Sequence, residues 1–93
     1  MSRKPRITIS MSDAGELEIW LNEVGRDQLV EALQDLNDTS NDLLHLWTWS
    51  DDGDLPLSDR AYRPTDRIVD TAKVLFRPDD WDRKYFPHVF ETA

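Results

Sequence analysis

The sequence predicts an α+β domain: a single four-stranded antiparallel sheet in the order strand, strand, helix, strand, strand, with one helix on one face and an aromatic C-terminal tail. Three observations carry this. Two short runs alternate apolar and polar residues on either side of a glycine-containing turn. A set of leucines then recurs at helical spacing. Two further apolar runs follow, separated by a long loop.

Residues 6–11 place Ile7, Ile9 and Met11 on one side and Thr8 and Ser10 on the other, the period of a half-buried strand. Ser12-Asp13-Ala14-Gly15 is turn chemistry, with Gly15 able to take positive φ. Residues 16–21 alternate again, Leu17, Ile19 and Leu21 against Glu16, Glu18 and Trp20, so the pair reads as an antiparallel hairpin. Asn22 suits a helix N-cap, and Glu23 and Asp27 suit the positive end of the helix. Leu29, Ala32, Leu33 and Leu36 form the apolar stripe. Glu31, Gln34, Asp35 and Asp38 fall elsewhere, and the helix is expected to end near Asn37.

A third strand is expected over 43–49. Leu44, Leu46 and Thr48 share one face; Leu43, His45, Trp47 and Trp49 share the other. Both faces are apolar enough for a central strand. Residues 50–64 form a loop punctuated by Gly53, Pro56 and Pro64, and a loop of this length in so small a domain is often functional. Residues 67–77 read as a fourth strand with Ile68, Ala72, Val74 and Phe76 on one face, stopped by Pro78. A right-handed crossover would give the sheet order 2-1-3-4. The helix would then cover Ile7, Ile9, Leu17, Ile19, Leu44, Leu46, Val74 and Phe76. The opposite face, with Trp20, His45 and Trp47, would need the tail, 79–93, or a second molecule to bury it.

At 93 residues the chain fits a single domain, 1–93, with 1–5 as a flexible N-terminus. There is no cysteine, so disulfides and thiolate metal sites are excluded. No apolar run approaches the ~18 residues of a membrane span. The basic segment Arg3-Lys4-Pro5-Arg6 is not followed by a signal-peptide core. The expected location is therefore cytoplasmic. A formal net charge of −8 disfavours nucleic acid and anionic membrane surfaces and favours encounter with a basic protein.

No catalytic constellation stands out. His45 lies among Leu and Trp, and His88, in Tyr85-Phe86-Pro87-His88, has no nucleophile or acid near it in sequence. Asp51-Asp52-Gly53-Asp54 resembles the opening of a calcium loop, but Pro56 stands where the turn glycine belongs and Tyr62 where the closing glutamate belongs. Neither a metal nor a cofactor is expected. Tryptophans beside acids suit a protein interface, so Trp47, Trp49, Asp51, Asp52 and Asp54 are the expected partner contacts.

The stretch His45-Leu46-Trp47-Thr48-Trp49-Ser50-Asp51-Asp52-Gly53-Asp54-Leu55, followed by Leu57-Ser58 and closed by Leu75-Phe76-Arg77-Pro78, resembles immunity-protein family 32 of bacterial polymorphic toxin systems. The resemblance spans 7–78. This chain has Asp51-Asp52 where a glycine pair is expected beside the tryptophan, and it has Pro56 in the loop. The resemblance implies a non-enzymatic inhibitor that binds and occludes a basic cognate toxin. The alternative expectation is a homodimeric structural or regulatory domain that self-associates through its aromatic sheet face.

Overall fold

The computed structural model describes residues 4–48 and 55–90, and its fold is α+β. Strands β1 (Ile7–Met11) and β2 (Leu17–Leu21) form the expected hairpin, with Ile9 opposite Ile19. Gly15 closes it at φ 83°, where a side chain would strain the backbone. Helix α1 (Glu23–Gln34) follows at once. Its cap, Asn22, is a junction. The Asn22 Oδ1 accepts from the Gly25 N–H at 2.7 Å and the Arg6 N–H at 2.9 Å, while its Nδ2 donates to the Lys4 carbonyl at 2.9 Å. One side chain thus ties the helix start to the entry of β1. Gly25 is buried against the Arg6 backbone, with no room for a Cβ.

The remaining strands are β3 (Leu43–Trp47), β4 (Arg67–Ile68) and β5 (Thr71–Leu75). They do not complete one four-stranded sheet. Three strands pair in the order β2-β1-β4, and β3 pairs with β5 in a second, two-stranded sheet. The order 2-1-3-4 therefore fails at its centre, where β1 meets β4 and not β3.

The expected fourth strand is split because its apolar phase slips. Val69, Ala72 and Val74 all pack on the core, and a continuous period-two strand cannot put an odd and an even position on one face. The break at Val69-Asp70 lets the chain serve both sheets. The Val69 N–H donates to the Ile9 carbonyl at 2.9 Å, and the Asp70 carbonyl accepts from the Thr48 N–H at 3.0 Å.

The second join lies in the expected loop. Pro56 bridges to Trp47, the Leu57 N–H donates to the Trp47 carbonyl at 2.9 Å, and the Ser58 N–H donates to the Ile7 carbonyl at 2.7 Å. Leu57 is buried with Ile7, Ile9, Leu44 and Leu46, and Leu29 and Ala32 of α1, with Leu36 just beyond its end, pack against this core. The region was read as structureless because a single buried leucine has no periodicity to show.

Two face assignments are corrected. The helix packs over β1 and the Leu44–Leu46 side and leaves Leu17 and Ile19 of β2 56% exposed; Phe76 is also exposed. Thr8 and Ser10, expected to face outward, are wholly buried. Residues 58–66 cover that side of the sheet. Tyr62 stacks on Trp20 with ring centroids 4.3 Å apart and 10° between planes, and its hydroxyl accepts from Arg6 Nε at 3.2 Å. Arg63 lies 5.3 Å over the Trp20 ring and ion-pairs with Glu18 and with Asp66, whose side chain is only 1% exposed. The Trp20 Nε1–H donates to the Ser10 hydroxyl at 3.2 Å.

Among the described residues, the tail folds into a helix α2 (Asp79–Tyr85) and a 3₁₀ turn, Pro87–Phe90, which pack chiefly on each other and not across a sheet. Trp81 is their centre, 4.7 Å from the Tyr85 ring and 5.3 Å from that of Phe86, with the Arg77 guanidinium 4.7 Å above it. Among the described residues, no helix is long and apolar enough to cross a membrane.

Candidate functional site: the open face of the second sheet

β3 and β5 pair so that Leu43 faces Leu75, His45 faces Lys73 and Trp47 faces Thr71 on one side, while Leu44, Leu46, Ala72 and Val74 enter the core on the other. Among the described residues, the first side is uncovered at its Leu43–Leu75 end. Leu43 and Leu75 are exposed, and Trp47 is half-buried. His45 is held by its neighbours: its ring lies 4.0 Å from the Trp47 ring, and its Nε2 is 3.0 Å from the Thr71 hydroxyl. These two contacts hold the His45 ring between Trp47 and Thr71. Among the described residues, no group of three metal-ligating side chains could hold an ion.

Of the expected contacts, the structure places Trp47 at the end of β3, on the open face. Trp49, Asp51, Asp52 and Asp54 lie outside the described residues. The ends of that acidic segment are nevertheless defined. It leaves β3 at Thr48, whose N–H is tied to Asp70. It returns at Leu55, which packs on the core and borders a shallow hollow of about 270 Å³ lined by Gln28, Glu31, Ala32, Asp35 and Leu55. The chain thus re-enters the fold beside two carboxylates of α1.

Those two acids belong to a longer set. Glu23, Asp27, Glu31 and Asp35 recur every fourth residue, all exposed, and no basic residue occupies the last turn of α1. Arg26 pairs with Asp27 at 3.0 Å. Like charges at this spacing each cost a helix about 0.2–0.5 kcal/mol, and acids at its C-terminal end oppose the dipole. The spacing was visible in the sequence. Its meaning required the placement of Leu55.

The aromatic face expected to be continuous from Trp20 to Trp47 is divided between two sheets. Trp20 is occupied by Tyr62 and Arg63 of its own chain, so only the His45–Trp47 part presents an aromatic surface. Two other hollows lie at the hairpin end. The larger, about 350 Å³, is lined by Met11, Ser12, Asp13, Gly15, Thr65 and Arg67. The other, about 330 Å³, holds Glu18, Arg63 and Asp66, whose charges are already paired with one another. Compared with models of known protein families, with curated proteins and with solved structures, the chain matches none.

Proposed function

We propose that the chain is a non-enzymatic, acidic binding protein that docks a basic protein through the Trp47 end of β3, the acidic segment 49–54 and the adjoining acidic side of α1. The observation that carries this reading is the position of Leu55. It puts the residue that follows Asp54 in the sequence beside Glu31 and Asp35, and no basic residue is among the described residues lining that hollow. Trp47 supplies the large, rigid apolar contact that interface centres favour, and the acids supply steering and charge complementarity. The net charge of −8 adds a long-range attraction for a basic surface.

The short motifs that resemble immunity-protein family 32 give this reading its biological form: the partner is a basic toxin, neutralised by occlusion of its working surface. An acidic surface fits a toxin site that receives phosphates, because carboxylates can take their place there.

The test uses the protein as bait in lysate of its source cell at low and high salt, alongside Asp51→Asn/Asp52→Asn/Asp54→Asn. The reading expects one basic partner, released at high salt and poorly held by the neutral variant. That partner, expressed alone, should arrest growth, and co-expression of this chain should restore it. A partner held equally by both forms at both salts would defeat the electrostatic account. A partner harmless to cells would defeat the toxin account.

A further inference from the structure

β2 is the unpaired edge of its sheet among the described residues, and Leu17-Glu18-Ile19-Trp20-Leu21 has no lysine, proline or bulge; its one charge, Glu18, is paired with Arg63. The direction of its free backbone groups follows from the hairpin. The Asn22 N–H donates to Arg6 and the Ser12 N–H to Glu16, so the pairs of even-numbered residues carry the β1–β2 hydrogen bonds. Leu17, Ile19 and Leu21 therefore direct their N–H and C=O groups outward. Their side chains are also the exposed ones, and Val30 and Leu33 of α1 stand exposed on the helix flank away from Leu55.

We propose that this edge is a self-association site, at which two copies pair β2 to β2 antiparallel across a two-fold axis through Ile19. The sequence is self-complementary about that point. Ile19 meets Ile19 of the second copy and Leu17 meets Leu21, with both helices on the same side. All three outward residues of each copy enter hydrogen-bonded positions. On the reverse side Glu18, already paired with Arg63 of its own chain, comes opposite Trp20 of the second copy. The five apolar side chains offer roughly 400–500 Å² per copy, the size of a patch that is often functional and about half of a standard interface side. The paired backbone adds to this. The dimer is accordingly weak and concentration-dependent, and high salt strengthens it by screening two copies of charge −8. This surface is separate from the β3–β5 face.

The test exploits the absence of cysteine. In hydrogen-bonded antiparallel pairs the Cα atoms lie about 5.5 Å apart, inside disulfide range. Ile19→Cys should oxidise to a covalent dimer at least tenfold faster than Leu75→Cys, an equally exposed control on the other sheet. In sedimentation the unmodified chain should shift from 10.9 kDa towards twice that mass as concentration and salt rise, and Ile19→Lys should abolish the shift while leaving circular dichroism unchanged. A monomer at all concentrations, equal oxidation of the two variants, or a dimer broken by Leu75→Lys and not by Ile19→Lys would each overturn the proposal.

Discussion

Replacing Gly25 with alanine sets helix propensity against packing, and the structure says which wins. Gly25 lies inside α1, where alanine ordinarily stabilises a helix by about 0.5–1 kcal/mol. Here a Cβ would lie 2.5 Å from the Arg6 carbonyl oxygen and 3.0 Å from both the Arg6 carbonyl carbon and Asn22 Oδ1. Two of these are backbone atoms of the strand entry and cannot swing aside. Relief requires the helix start to lift from the strand entry, which stretches the Asn22 bonds to the Arg6 N–H and the Lys4 carbonyl. Overpacking costs about 1–3 kcal/mol, and weakening those hydrogen bonds adds about 0.5–1.5 kcal/mol. Set against the propensity gain, the net destabilisation is about 2 kcal/mol. With a urea slope of about 1–2 kcal/mol per molar, Gly25→Ala should lower the unfolding midpoint by about 1–2 M at unchanged slope. A midpoint at or above that of the unmodified chain would refute the close packing of α1 on β1.

Two further substitutions probe the covered side of β1. The Thr8 hydroxyl is buried without a hydrogen-bond partner among the described residues, so Thr8→Val should raise stability by about 1 kcal/mol, read as a higher urea midpoint; a fall would mean that the hydroxyl is bonded. A double-mutant cycle on Trp20→Ala and Tyr62→Ala should give a coupling of about 0.5–1.5 kcal/mol from their stacked rings, and zero coupling would place residues 58–66 off the sheet.

The parts of the fold legible in the sequence are those with a repeating signal. The hairpin follows from Ile7, Ile9, Leu17 and Ile19 about Gly15, and the cap of α1 from Asn22 ahead of Leu29, Leu33 and Leu36. What was missed depends on single residues with long-range partners. Leu57 and Ser58 stitch Trp47 to Ile7, and Tyr62 covers Trp20; none of the three sits in a periodic run. The parity change between Val69 and Ala72 was present in the sequence, yet one long strand reads through it unless the partners on both sides are known. Of the expected contacts, Trp47 is placed on an open face, while Trp49, Asp51, Asp52 and Asp54 fall outside the described residues. That Glu31 and Asp35 stand beside Leu55, a residue distant in sequence, is apparent only in the fold.

The central claim is where a partner binds, and amide hydrogen exchange of the free chain against its complex with the captured basic protein measures that most directly. The account predicts added protection at Leu43–Trp47, Thr71–Leu75, the segment 49–55 and the Glu31–Asp35 turn of α1, with little change at Leu17–Leu21. Protection confined to Leu17–Leu21 or to Asp79–Tyr85, with the Trp47 end of β3 and segment 49–55 unchanged, would contradict it.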